Sequence, residues 1–240
     1  MQVKNLVTLS LKTSPDYKKN LDGLLQQLNS IEENSLIVAP EVYLTGFDYE
    51  NLEQATAMAW EFTKQIQQHA HGKIIILTML EKQNEQVFNM AKIFANGEVV
   101  YQRAKARLFK LGDEHKYMQE GSDESIETIE IAGVKIALLV CFELRFKELW
   151  QKCEGTDIIA IPAWWGKARS EHFRSLTQAL AIINQCYVLA SDSANDECSV
   201  LSGIITPQGI ENRNGNTPHF TQEYKQKEIA FVRRYIDINR

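Results

Sequence analysis

The sequence predicts an α/β fold of layered type, a mixed sheet with helices packed outside it. Three observations carry that expectation. Short apolar runs that stop on proline or on charge alternate with segments of helical spacing. An Asn-Gly pair at 96–97 joins two β-type runs, so a hairpin is interleaved among the alternating elements. No internal repeat, low-complexity tract or linker interrupts the 240 residues, a length that buries one sizeable core, and 1–240 reads as a single domain.

Taken in order, segment 2–11 alternates and reads as a strand. Segment 16–33 places Tyr17, Leu21, Leu24, Leu25, Leu28 and Ile31 at helical spacing. "SLIVAP" (35–40) is an apolar run stopped by proline, as a strand buried on both faces should be. Segment 50–70 reads as a long helix with Gly72 just beyond it. "KIIILTML" (73–80) is a second buried strand, followed by the hairpin over "QVFNMAKIFANGEVVYQRAK". Segment 134–140 is a strand, 143–153 a short helix, 157–163 a strand and 167–184 an amphipathic helix. Segments 186–191 and 199–209 are strands, and 227–236 reads as a last strand.

Composition narrows the function. Net charge is −5 and the basic clusters are short, so nucleic acid is not an expected partner. No apolar run approaches a membrane span, and the N-terminus lacks the apolar core of a signal peptide; a cytoplasmic location is expected. The four cysteines, Cys141, Cys153, Cys186 and Cys198, form no CxxC pair, and the five histidines show no HExxH spacing. His69 and His71 fit the end of a helix. No metal and no other cofactor is expected.

Open α/β sheets place chemistry beyond the carboxyl ends of their strands. Glu41 follows "SLIVAP", Lys105 follows "GEVVYQRA", Cys141 follows "KIALLV", and Trp164 and Trp165 follow "DIIAIPA". Each alone has an ordinary reading: a surface acid, a solvated lysine, a small core thiol, wall aromatics. Their joint placement favours function. A thiol becomes a nucleophile only with a base or a positive neighbour. Glu41 can take its proton, and Lys105 with the Phe142 backbone N–H can stabilise the oxyanion of an attacked carbonyl. No histidine ends an apolar β-run, which argues against a Cys-His hydrolase of papain type.

"APEVYLTGF" around Glu41, "KARLF" around Lys105 and "CFELRF" around Cys141 resemble, in order and spacing, the three signatures of the nitrilase superfamily, the carbon–nitrogen hydrolases. The similarity runs over nearly the whole chain, through "PAWWGKARSEHFRSLTQALAIINQCYVLAS" and "SGIITPQG". The resemblance implies a four-layer α-β-β-α sandwich that pairs into a homodimer or a higher homo-oligomer. It implies a Glu41–Lys105–Cys141 triad acting through a thioester that water hydrolyses. Glu114, seven residues before Gly121, matches the family's second glutamate and is expected to orient Lys105. Arg107 stands where the family often has histidine, Glu143 where it often has aspartate, and Lys147 where proline is common; these departures touch pocket shape and subfamily, not the triad.

The expected substrate is a small amide, of ω-amide or N-carbamoyl amino acid type. Nitrile hydrolysis by the same triad and a non-catalytic scaffold role are the alternatives. Arg145 can bind a substrate carboxylate, or hold Glu143 or Glu148 as a structural ion pair, and the structural pairing is the favoured reading. One of Trp164 and Trp165 is expected to face the substrate. Arg169 and His172 follow on the next helix, where surface charge is the favoured reading for Arg169.

Overall fold

A computed structural model describes residues 1–237. Its strands are β1 (Asn5–Leu9), β2 (Ser35–Val38), β3 (Lys73–Gln83), β4 (Gln86–Ala95), β5 (Glu98–Ala104), β6 (Ile129–Ile131), β7 (Val134–Leu138), β8 (Ile158–Ala163), β9 (Tyr187–Asp192), β10 (Gly203–Ile205), β11 (Glu211–Arg213) and β12 (His219–Glu223). The helices are α1 (Tyr17–Ser30), α2 (Leu52–Ala57), α3 (Ala59–His69), α4 (Glu114–Tyr117), α5 (Lys147–Gln151), α6 (Ser170–Asn184) and α7 (Gln226–Tyr235).

The strands form two six-stranded sheets, ordered β12-β1-β2-β3-β4-β5 and β11-β10-β9-β8-β7-β6. Each has a parallel centre, β1-β2-β3 and β7-β8-β9, flanked by antiparallel strands. The alternation of side chains along each central strand explains the layers. Leu36, Val38, Ile74 and Ile76 join the apolar cluster shared with Ile136, Leu138, Ile158 and Ala160 of the second sheet. Ile37, Ile75 and Leu77 point the other way, into a cluster with Leu24 and Leu28 of α1 and Phe62 and Ile66 of α3. On the far side Leu149 of α5 and Phe173 and Leu180 of α6 cover the second sheet. The result is the four-layer α-β-β-α sandwich that the family resemblance implies, and strands covered on both faces explain why the apolar runs are continuous.

Local signals account for the edges of several elements. Asp16 caps α1 by accepting from the Lys19 N–H at 3.0 Å. The hairpin turns at Asn96 and Gly97, both at positive φ, and pairs β4 with β5. The 50–70 helix is divided at Met58 into α2 and α3.

One element differs in kind. Segment 227–236 forms α7, not a strand. Its buried residues, Ile229 and Val232, lie three apart on one helical face, while Phe231 and Tyr235, four apart, pack with tilted rings on the exposed face at 4.6 Å. Its aromatic and β-branched content suits a strand, but the burial follows helical spacing. Strands β6, β11 and β12 are short and half-exposed and leave no apolar run to read. Among the described residues no helix is long and apolar enough to cross a membrane.

Candidate active site

The strand ends meet on one edge of the sandwich. Pro40 ends the run of β2, and the Glu41 N–H donates to the Ala163 carbonyl at the end of β8 at 3.2 Å, so the two sheets touch there. Two tight turns position the functional groups. Val42, after Glu41, has φ +41, and Cys141, after β7, has φ +44. Both are in the left-handed region, where a residue with a Cβ is strained by roughly 1–3 kcal/mol. The Val42 turn is held by its N–H, which donates to Thr78 Oγ1 at 2.8 Å.

Lys105 is fully buried and its Nζ lies between two carboxylates. It donates to Glu41 Oε1 at 2.7 Å and to both oxygens of Glu114 at 2.9 Å. Burial opposes the ammonium charge, but Glu41 and Glu114 outweigh it and hold Lys105 above its ordinary pKa. Glu114, on α4, is pushed up by burial; Lys105 pulls it back and Glu41 pushes it up again. The Phe109 N–H donates to Glu114 Oε2 at 3.1 Å, which fixes that carboxylate from a second side. Asn89 of β4 donates to Glu41 Oε1 at 2.8 Å.

Trp164 links base and thiol. Its N–H donates to Glu41 Oε2 at 3.1 Å, and its carbonyl accepts from Cys141 Sγ at 3.7 Å. Burial pushes the Cys141 thiol well above its ordinary pKa, Glu41 and Glu114 add to this, and Lys105 offsets part of it. The resting group is therefore a neutral thiol within the field of all three ionisable partners, and it needs a base to become a nucleophile. Cys153, Cys186 and Cys198 are buried free thiols. Cys153 belongs to the inter-sheet cluster and donates to the Leu149 carbonyl at 3.4 Å, and Cys186 belongs to the same cluster.

Glu143 and Arg145 do not pair. Glu143 instead forms a buried bidentate pair with Arg103 of β5. The favoured structural reading of Arg145 fails: Arg103 already fills the Glu143 carboxylate, and among the described residues Arg145 forms no ion pair with Glu148. Arg145 lies with its guanidinium 4.7 Å from the Trp165 ring centroid and 3.2 Å from His172 Nδ1. Arg169 is likewise not a plain surface charge: its guanidinium covers the Phe109 ring at 5.2 Å.

Both arginines line the cavity over Cys141. The lining includes Phe109, Phe142, Trp164, Trp165 and Gly166 around Cys141, and continues past Phe47, Tyr49 and Glu197 into a space of about 200 Å³. Trp164 packs edge-on against Phe47 at 5.9 Å, and Trp165, only 3% exposed, packs on Phe173. The Phe142 ring sits between Phe109 and Phe146, at 5.1 and 5.2 Å. The Phe142 side chain is thus part of the wall, in addition to whatever its N–H does. A larger depression of about 460 Å³ lies between Trp150, Ile183 and Arg233 and touches none of these residues.

All eight residues singled out from sequence surround one cavity or the charges beneath it. Asn89 and Arg103 were not singled out. Asn89 left a signal, a polar side chain inside the buried part of β4, which a buried strand tolerates only with a partner. Arg103 left none, because β5 is half-exposed and also carries Glu98 and Gln102. Phe47, Tyr49 and Phe109 left none, since aromatics in loops are ordinary.

A sequence profile described as Carbon-nitrogen hydrolase matches residues 9–215. The 2-oxoglutaramate amidase of Bacillus subtilis (strain 168) is 33% identical over 187 residues, 72% of this chain and 71% of that protein. Omega-amidase YafV of Escherichia coli (strain K12) is 29% identical over 229 residues, 92% of this chain and 88% of that protein. The crystal structure of XC1258 from Xanthomonas campestris, a CN-hydrolase superfamily protein with an arsenic adduct in the active site, shares the fold with a TM-score of 0.85 at 22% identity, covering 98% of this chain and 96% of that one. With a profile matched over most of its length and a relative one-third identical over nearly three-quarters of it, this chain belongs to the carbon–nitrogen hydrolase family.

Proposed function

We propose that this protein hydrolyses the terminal amide of a small carboxylate-bearing compound, an ω-amide or an N-carbamoyl amino acid, through a thioester on Cys141. The observation that carries the reading is the Trp164 backbone, whose N–H holds the Glu41 carboxylate and whose carbonyl holds the Cys141 thiol, beside a lysine charged by two glutamates.

In this reading Glu41 removes the thiol proton as Sγ attacks the amide carbonyl carbon. Negative charge collects on the carbonyl oxygen, where Lys105 Nζ and the Phe142 N–H stabilise it. Collapse breaks the C–N bond, and Glu41 returns its proton to the departing ammonia. Glu41 then deprotonates a water that attacks the thioester carbon; the acid leaves and the thiol is restored. Glu114 keeps the Lys105 ammonium in place through both steps.

Two features support the substrate class. Arg145 and Arg169 line the cavity, and among the ion pairs of the described residues neither has a carboxylate partner. Burial and the neighbouring Arg169 both lower the Arg145 pKa, so an arriving anion relieves a repulsion already present. The cavity of about 200 Å³ suits a short acyl chain. The names of the two relatives, an ω-amidase and a 2-oxoglutaramate amidase, point the same way.

The test is an ammonia-release screen over matched sets of carboxylated amides, neutral amides, N-carbamoyl amino acids and nitriles. The reading expects the carboxylated amides or carbamoyl acids to lead in kcat/KM. Nitriles ahead of every amide, or no turnover in the whole set, would overturn it.

A further inference from the structure

Trp165 contacts both arginines that line the cavity, one at its guanidinium and the other at its backbone. The Trp165 ring supports the Arg145 guanidinium at 4.7 Å, and its indole Nε1–H donates to the Arg169 carbonyl oxygen at 2.8 Å. Trp165 is itself fixed from behind. Its backbone N–H donates to Asp192 Oδ1 at 2.7 Å. Asp192 Oδ2 accepts from the Val200 N–H at 3.0 Å and from the Ser199 hydroxyl. One carboxylate at the end of β9 thus clamps the 164–166 turn to the 199–200 loop.

This carboxylate is unusual. Asp192 is fully buried, and among the described residues no ion pair reaches it. Burying an unpaired carboxylate costs several kcal/mol unless hydrogen bonds compensate. Here burial pushes its pKa to about 7, against the pull of the donors that converge on it. An amide in its place would bring two N–H donors of its own into a site whose partners are all donors. A core position chosen for stability alone favours an apolar residue; this one keeps a carboxylate where only an acceptor on both oxygens satisfies the two loops.

We propose that Trp165, clamped by Asp192, is the positioning residue that aims Arg145 and Arg169 at the substrate's anionic end, so that the pair sets discrimination between anionic and neutral amides. The inference rests on the carboxylate-binding reading given above. Neither residue touches the scissile bond, so the effect falls on recognition of the distant charge.

The experiment compares steady-state kinetics of the full chain, as wild type, Asp192→Asn and Trp165→Phe, on glutaramate and pentanamide. Asp192→Asn should lower the glutaramate-to-pentanamide ratio of kcat/KM by about tenfold or more, mostly through a raised glutaramate KM. Trp165→Phe keeps a ring beneath Arg145 but loses the indole N–H and part of the ring's bulk; its ratio should fall by about threefold to tenfold. It also serves if Asp192→Asn does not fold. A wild type that prefers glutaramate, with variants that keep the same ratio, overturns this inference alone. Equal losses on both amides also overturn it, as a general packing defect. A wild type without preference for glutaramate overturns the carboxylate reading and this inference with it.

Discussion

Glu143 and Arg103 form a buried ion pair, with Nη2 to Oε2 at 2.5 Å and Nη1 to Oε1 at 2.8 Å, in the space between the two sheets. The same carboxylate accepts from the Val140 N–H and from the Ala106 N–H, each at 2.6 Å. Val140 immediately precedes Cys141 and Ala106 immediately follows Lys105. One side chain therefore ties the thiol's turn in one sheet to the lysine's strand in the other.

Breaking that pair should be expensive. Arg103→Met leaves Glu143 charged and without its cation in the core, and such a loss destabilises by about 3–5 kcal/mol. Urea unfolding followed by far-UV circular dichroism measures it. A change below about 1 kcal/mol would show that the pair is not what joins the sheets.

The pair also predicts a pH dependence. Burial raises the Glu143 pKa, but Arg103 and the two backbone N–H groups outweigh it, and the net value lies below the ordinary 4.5. A carboxylate lowered in the folded state contributes stability in full above its unfolded pKa and loses it as pH falls through the folded value. Between about pH 5 and pH 3 the wild type should therefore lose stability more steeply than Glu143→Gln. Parallel slopes for the two proteins would contradict the assignment.

Lys105 stands between Glu41 and Glu114, and its removal leaves two buried carboxylates facing each other. Lys105→Met should lower kcat by about 10²–10³ through the lost oxyanion donor. Glu41→Gln removes the base and should cost about 10²–10⁴. Ammonia release at saturating substrate measures both, with circular dichroism to confirm folding.

Gly121 permits a close approach that no other residue allows. A Cβ there would lie 2.5 Å from the Ala104 carbonyl oxygen, a backbone atom that cannot turn aside, while the Gly121 N–H donates to the Lys105 carbonyl at 2.8 Å. Gly121→Ala should destabilise by about 1–3 kcal/mol and, by displacing the strand that carries Lys105, lower kcat as well. A thermal melt and steady-state kinetics test the two effects separately.

Much of the sandwich was legible because its central strands are covered on both faces, so β2, β7 and β8 print as apolar runs that lead to Glu41, Cys141 and Trp164. The Asn96-Gly97 turn was legible because few residues other than Asn and Gly adopt positive φ at low cost. Segment 227–236 misled because Ile229, Phe231, Val232 and Tyr235 are dense enough to satisfy either period, and only the core decides which of them it covers. Long-range charge pairing was not legible. Arg103 and Arg145 are both available to Glu143 in sequence, and strand order alone gives it Arg103. That choice frees Arg145 for the cavity. Asp192 left only a serine-rich loop as a sign, since an acid at the end of a strand is ordinary on a surface and exceptional only once buried.

The central claim is that the Cys141 thiol forms the covalent bond. The most direct measurement is ammonia release by Cys141→Ala on the substrate that wild type turns over best. The account predicts no release above the uncatalysed rate from a protein with an unchanged melting curve; turnover close to that of wild type would contradict it.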